Sequence, residues 1–466
     1  MSQLPVHVFR EYDIRGLVAT ELTADFARTL GLALGTALQE KLGPAPAGTR
    51  RTMVVGRDIR TSSTTLRDAM VDGLVSTGVD VIDIGVVATP LTYFAANTLK
   101  VDGLAMITGS HNPPEFNGFK TGFGKTTFHG HEIQALRRVC EGGRFAVAAE
   151  PGKVTTHDII ADYETYVRGN IRLGQRRLKV VVDAGNGCGG FIAVPLLEKL
   201  GFEVVGQFIE PDGTFPNHHP DPTVVKNVEP LIARVKAEKA DVGIAYDGDA
   251  DRIGAVDEQG NILWGDQLMV LFAREILKEK PGATFVSEVK CSMTMYEDIE
   301  KKGGTAIMWK AGHSLIKAKM AETGAELAGE MSGHIFFKNR WFGFDDAIYS
   351  TLRLLEILTK TEAPLSTLVS DLPKTWSSPE LRTDFAEELK FKAVEKAREK
   401  LKAIAPETVD VDGVRAIWPD GWGLVRASNT QPILVLRYEA TSASRMQEIE
   451  RIVEGVLGEV RRELGA

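Results

Sequence analysis

The alternation of short apolar runs with segments of helical period constrains this chain more than any other feature. Thr52-Met-Val-Val-Gly56, Asp80-Val-Ile-Asp-Ile84, Gly103-Leu-Ala-Met-Ile107 and Leu178-Lys-Val-Val-Val-Asp183 are apolar runs that read as strands. Glu203 to Phe208, Ala240 to Tyr246, Thr284 to Val289 and Gly304 to Trp309 read the same way. Ahead of them, Leu22, Phe26, Leu30, Leu34 and Leu38 recur at helical spacing and stop at Gly43-Pro44. Thr61-Ser-Ser-Thr-Thr caps a second helix running to about Thr77, and Thr89-Pro90 opens a third. Further helices are expected over Phe191–Leu200, over Asp266–Leu277 and beyond His313. Strands separated by whole helices pair through crossovers, so βαβ units and largely parallel sheets are expected. Past Pro373 the texture changes to a charged helix (Glu387–Ile404), short strands (Val414–Trp418, Pro432–Tyr438) and a closing helix (Ser442–Leu464). That tail is expected to form a separate small α+β domain.

At 466 residues the chain exceeds one ordinary core and implies several domains. Its 55 basic and 63 acidic side chains leave a net charge of −8, which argues against general nucleic-acid or membrane binding. No apolar run approaches the ~18 residues of a membrane span. The start, Met-Ser-Gln-Leu-Pro-Val, lacks the basic and apolar stretches of a signal peptide. Cys140, Cys188 and Cys291 are scattered, form no metal-ligand pattern and suit a reducing compartment. The cytoplasm is the expected location.

Chemistry concentrates in a few loops. Thr108-Gly-Ser-His-Asn-Pro-Pro-Glu-Phe-Asn-Gly118 follows an apolar strand, and its glycines and prolines break regular structure. It presents one hydroxyl, Ser110, beyond the carboxyl end of a strand, where open α/β sheets keep their ligands. The neighbouring His111 suggests a serine activated by a base. Consecutive loop residues seldom aim at each other, however, and the sequence offers no evident acidic partner for the imidazole. Asp247-Gly-Asp-Ala-Asp-Arg252 follows another strand. In an extended loop Asp247, Asp249 and Asp251 share one side, and three carboxylates so close persist best around a hard cation, Mg²⁺ or Ca²⁺. A solvated acidic turn is the plain alternative. An EF-hand fails, because Arg252 stands where glycine is needed and a strand precedes the loop. A dehalogenase-type phosphotransferase, with Asp247 as nucleophile, stays open. A phosphorylated Ser110 would fill a free position on the cation, with Arg252 steadying its charge.

Glu330-Met-Ser-Gly-His334 brings Glu330, Ser332 and His334 together, polar groups suited to vicinal sugar hydroxyls; His313 and Lys290 are weaker candidates of the same kind. Arg426-Ala-Ser-Asn-Thr430 combines a guanidinium, two hydroxyls and an amide in a turn that can grip phosphate. The glycines at 185, 187, 189 and 190 lack dinucleotide-fingerprint spacing and read as a tight strand-to-helix turn.

Taken together and in this order, these loops resemble the α-D-phosphohexomutase superfamily across nearly the whole chain. Thr108–Pro113 is similar to its phosphoserine loop, Asp247–Arg252 to its magnesium loop, Gly329–His334 to its sugar-specificity loop and Arg426–Thr430 to its phosphate-binding loop. Tyr12-Asp-Ile-Arg-Gly16 matches a further signature, and Glu-Met-Ser-Gly-His most resembles the bacterial phosphomannomutase/phosphoglucomutase branch. Phosphoglucosamine mutases resemble it less at Met331 and Asn429. The resemblance implies three similar mixed-sheet α/β domains around a central cleft plus a smaller C-terminal α+β domain. The corresponding boundaries are 1–155, 156–260, 261–372 and 373–466. It implies one Mg²⁺ per chain on Asp247, Asp249, Asp251 and phosphorylated Ser110, and a hexose 1,6-bisphosphate as both intermediate and activator. It places Lys120, Arg15 and His313 near proton transfer, with His111 and Arg252 in the catalytic set. Tyr12, Lys290, Glu330, Ser332, His334, Arg426, Ser428, Asn429 and Thr430 would bind substrate. The expected partners are small-molecule sugar phosphates, with the chain a monomer or weak homo-oligomer. A metal-dependent sugar phosphatase and a non-catalytic sugar-phosphate-binding protein are the readings from other classes.

Overall fold

The computed structural model describes residues 4–43, 45–46, 48–428 and 432–465, and forms four sheets in sequence order. The first runs, edge to edge, Ile14–Leu17, Phe116–Phe123, Gly103–Ile107, Thr52–Arg57, Asp80–Val86 and Val154–Thr156. Its last four strands are mutually parallel, whereas Phe116–Phe123 and Ile14–Leu17 are antiparallel to their neighbours. The second sheet runs Ile262–Leu263, Ile253–Asp257, Val242–Tyr246, Lys179–Asp183 and Glu203–Gln207. The third runs Thr305–Trp309, Thr284–Glu288, Leu327–Gly329 and Ile335–Phe337. In each, one strand turns straight back on itself: Val242–Tyr246 pairs antiparallel with Ile253–Asp257, and Leu327–Gly329 with Ile335–Phe337.

The sheets are therefore mixed rather than largely parallel. The physical reason is loop length, since the few residues separating these partners cannot carry a crossover and must make a hairpin. The stretch expected to be loop as far as Gly118 already enters a strand at Phe116. Gly118 and Asn117, which read as turn formers, lie inside that strand. A Cβ at 118 would fall 2.5 Å from the carbonyl oxygen of Ile14, so glycine is needed there for close approach of the edge strand.

The helices Thr89–Thr98, Ile159–Asn170, Gly189–Lys199, Gly265–Glu279 and Ala347–Thr359 join all three sheets in one continuous core. Burial of so many apolar side chains on shared helices fixes the sheets relative to one another. The C-terminal part has six strands, antiparallel throughout, with its own core packed on Lys390–Lys402 and Ala443–Leu464. It meets the third sheet through a small apolar patch of Val289, Trp422 and Leu424. There Arg415 lies 3.7 Å over the Trp422 ring and donates to the carbonyls of Val289 (2.6 Å) and Cys291 (2.7 Å). Among the described residues no helix is long and apolar enough to cross a membrane.

One buried carboxylate ties the second and third sheets together. Asp346 caps the helix Ala347–Thr359 by accepting from the Tyr349 N–H at 2.8 Å. It also accepts from the Tyr163 hydroxyl at 3.0 and 3.1 Å. Burial pushes its pKa up to about 7, against the pull of those hydrogen bonds. Because the folded value lies above the unfolded one, the stability it contributes is complete below roughly pH 4 and is lost as pH rises through the folded value. Asp346→Asn keeps the cap but cannot ionise. It is expected to gain on the wild type between about pH 5 and about pH 8, by on the order of 1–3 kcal/mol. Thermal unfolding of both proteins across that range checks this, and a pH-independent difference would count against it.

Candidate active site

The three hairpin turns of the first three sheets converge. Ser110, 3% exposed, has φ 49°, a left-handed conformation that a non-glycine residue adopts only when its surroundings enforce it. Its N–H donates to Thr108 Oγ1 at 2.8 Å, and its Oγ donates to Asp247 Oδ2 at 3.0 Å across 137 positions of sequence. Gly248 permits that approach, since a Cβ there would sit 2.5 Å from the Ser110 carbonyl oxygen. Thr89, at the start of a first-sheet helix, holds the same loop by donating its N–H to the Asp249 carbonyl (2.9 Å) and its hydroxyl to Asp249 Oδ2 (2.5 Å).

Asp247, Asp249 and Asp251 are fully buried, each presenting an oxygen within 4.8 Å of the others. Burial and then the neighbouring Asp251 and Asp249 push Asp247 well above the carboxylate range. Lys120 Nζ pairs with Asp249 at 3.0 Å and also with Asp251. Burial opposes its charge, but the two aspartates outweigh that and hold it well above the usual lysine range. Lys120 reaches only two of the three aspartates, and Asp249 Oδ1 and Asp251 Oδ1 are buried without a hydrogen-bond partner among the described residues. An all-oxygen donor set with orphaned oxygens fits a hard divalent cation such as Mg²⁺.

Arg252 turns to the third sheet, donating Nε–H to His334 Nε2 at 3.0 Å. Acceptance at Nε2 places the His334 proton on Nδ1, which faces Asp345 Oδ2 at 3.1 Å and Asp251 Oδ1 at 3.6 Å. His313 stacks on His334 with ring centroids 5.7 Å apart. Burial, then the Lys317 charge, holds His313 well below the usual histidine range, so its ring is neutral. His111 does have an acidic partner, contrary to expectation: Asp221 Oδ2 lies 3.0 Å from its Nδ1. Asp221 is itself fixed by the N–H (3.0 Å) and hydroxyl (2.6 Å) of Thr223. Burial and then Arg252 lower His111 to about 4, again leaving a neutral ring. The Ser110 hydroxyl is directed to Asp247, not to this imidazole.

The remaining candidates surround the loop Lys310–His313. Tyr12 Oη donates to the Ala311 carbonyl at 2.9 Å, Glu330 Oε1 accepts the Gly312 N–H at 2.7 Å, and Asp412 Oδ2 accepts the Ala311 N–H at 3.1 Å. Asp412 also pairs with Arg426 Nε at 3.1 Å, drawing the C-terminal sheet to the same place. Arg15 Nη1 donates to Asn112 Oδ1 at 2.6 Å, beside Ser110. Lys290 pairs with Glu380 at 3.0 Å, across the joint between the third and fourth sheets. Ser332 is half-buried, and Ser428 is buried with its N–H bonded to the Ile433 carbonyl at 3.0 Å. Asn429 and Thr430 lie outside the described residues. Thr89, Asp221, Asp345 and Asp412 were not legible as site residues. Thr89 reads as a helix cap, and the three aspartates carry no local motif.

Family models described as phosphoglucomutase/phosphomannomutase alpha/beta/alpha domains I, II and III match residues 6–138, 161–260 and 264–376, and the corresponding C-terminal domain matches 380–455. The chain is 45% identical to the phosphomannomutase/phosphoglucomutase of Pseudomonas aeruginosa, over 97% of this chain and 96% of that one. It is 44% identical to the phosphoglucomutase of Neisseria meningitidis serogroup A, over 98% of each. The crystal structure of a phosphoglucomutase/phosphomannomutase family protein from Burkholderia thailandensis superposes with a TM-score of 0.92 at 43% identity, covering 98% of each chain.

The donor set makes a direct prediction. Calorimetric titration with Mg²⁺ is expected to show binding that Asp249→Asn weakens at least about 10-fold, since a charged ligand becomes a neutral one. Equal affinity in the two proteins would remove the aspartate cluster as the cation site.

Proposed function

The chain belongs to the phosphoglucomutase/phosphomannomutase family, and from that membership we infer that it interconverts hexose 1-phosphates and hexose 6-phosphates, of mannose, glucose or both. The observation that carries the reading is the buried contact between Ser110 and Asp247. A serine whose hydroxyl is bound to one of three clustered, buried carboxylates is poorly served as a nucleophile toward carbonyls. It is well placed to carry a phosphoryl group beside a cation. Asp247, Asp249 and Asp251 would hold Mg²⁺, which when bound supplies charge neutralisation to a phosphoryl oxygen.

In the forward direction the bond from Ser110 Oγ to phosphorus breaks as the sugar O6 bonds to that phosphorus, and the O6 proton is released. This yields a hexose 1,6-bisphosphate and an unmodified serine. The bisphosphate turns over in the cleft, its 1-phosphate returns to Ser110, and the hexose 6-phosphate leaves. Transfer of this kind needs alignment and charge more than covalent chemistry. Lys120 and Arg252 would supply positive charge at the aspartate loop; Lys120, Arg15 and His313 would serve proton transfer, with His111 in the catalytic set. Glu330, Ser332 and His334 would hold the ring hydroxyls. Arg426, Ser428, Asn429 and Thr430, with Lys290 and Tyr12 at the rim, would hold the phosphate that is not reacting. We place the domain boundaries near residues 155, 260 and 372. The protein is assigned to the cytoplasm, which its three free, buried cysteines support.

Intact mass is expected to show a substoichiometric single phosphate that Ser110→Ala removes. A coupled assay is expected to convert mannose 1-phosphate to mannose 6-phosphate when Mg²⁺ and a hexose 1,6-bisphosphate are present. No such turnover would sink the assignment, and steady release of inorganic phosphate would indicate a phosphatase instead. Gly248→Ala, which forces the Ser110 and Asp247 loops apart, should lower kcat roughly 10–100-fold in that assay without unfolding the protein. Wild-type kcat in this variant would mean that the contact is not used.

A further inference from the structure

We propose that Arg60 is the positioning residue that holds Ser110 in its left-handed backbone conformation. The side chain, 2% exposed, reaches from the turn after Thr52–Arg57 into the centre of the Ser110 loop. Its Nη2 donates to the carbonyls of Ser110 (2.8 Å) and Asn112 (2.5 Å), and its Nη1 to those of Pro113 (2.7 Å) and Phe116 (2.9 Å). One planar guanidinium thus serves four carbonyls of a loop whose two prolines have no N–H to offer.

Both ends of the guanidinium are fixed in turn. Asp58 Oδ2 lies 3.2 Å from Arg60 Nε and accepts the Gly109 N–H at 3.2 Å. Asp58 Oδ1 accepts the Arg60 N–H at 3.0 Å and the Ser63 hydroxyl at 2.5 Å. Phe215, from the second-sheet region, covers the guanidinium with its centroid 5.0 Å away. A Cβ at 109 would fall 2.6 Å from the guanidinium carbon, so the glycine before Ser110 is required by the arginine.

Strain explains the need. A non-glycine residue at φ 49° is strained and relaxes unless the surroundings over-determine it. Thr108 fixes the N–H side of Ser110 and Arg60 fixes its carbonyl side. Together they aim Oγ at Asp247. Without Arg60 the serine relaxes and its oxygen swings out of line, while the sugar and distal phosphate are still held by the other loops. The loss therefore falls on kcat and spares KM.

The inference deepens the mutase reading and rests on it, so wild-type activity in the coupled assay is measured first. In Arg60→Ala, kcat is expected to fall about 100-fold or more with KM within about threefold, and millimolar methylguanidinium to restore part of kcat where ammonium does not. Arg60→Lys, which can serve fewer of the carbonyls, is expected to keep less than about a tenth of wild-type kcat with a circular dichroism spectrum and gel-filtration volume like the wild type. It decides the matter if the alanine variant does not fold. Wild-type kcat in Arg60→Lys, or a loss confined to KM, or an alanine variant that folds but that no guanidinium rescues, overturns the role of Arg60. A wild-type protein without mutase turnover overturns both the inference and the reading beneath it.

Discussion

Three carboxylates buried side by side are the constraint on which the rest of this structure depends. Asp247, Asp249 and Asp251 would drive their loop apart unless positive charge reached them from elsewhere. Lys120 brings it from the first sheet, and Arg252, at the end of the same loop, is held by a hydrogen bond to His334 of the third. Thr89 closes the remaining side with two hydrogen bonds to Asp249. The meeting of three separate sheets is thus an electrostatic requirement as well as a packing one.

The same topological device recurs at each functional loop. The Ser110, aspartate and Glu330 loops each link a buried strand to an antiparallel partner, while that buried strand pairs in parallel on its other side. In the C-terminal sheet Gly421–Ala427 and Ile433–Ala440 are likewise antiparallel neighbours with Arg426 and Ser428 between them and at their ends. A tight reversal puts its polar residues at the rim of the sheet. Side chains from the first three of these loops can then meet.

What the sequence disclosed followed from this architecture. The first strands of the first two hairpins, Gly103–Ile107 and Val242–Tyr246, are pure apolar runs and were legible, whereas the three-residue Leu327–Gly329 was not. The returning strands of the first three hairpins were not. Phe116–Phe123 holds Asn117, Gly118 and Lys120, which break any apolar pattern, and Ile335–Phe337 is too short to register. Reading parallel sheets from helix-separated strands failed for that reason. Ser110, the three aspartates and Glu330 stood out because their residue types are costly to bury without a purpose. Asp221, Asp345, Asp412 and Arg60 act through contacts distant in sequence, so no local spacing could reveal them.

The near-complete enclosure of Ser110 bears on fidelity. A phosphoryl group carried there has two acceptors in competition, a sugar hydroxyl, which exchanges one ester for another at little cost, and water, which destroys the ester irreversibly. At 3% exposure, with its N–H on Thr108 and its hydroxyl on Asp247, the serine has little contact with solvent. A bound sugar would reduce it further. What separates a mutase from a phosphatase at such a site is then a matter of timing: how long the cleft stands open to water between the departure of one sugar and the arrival of the next.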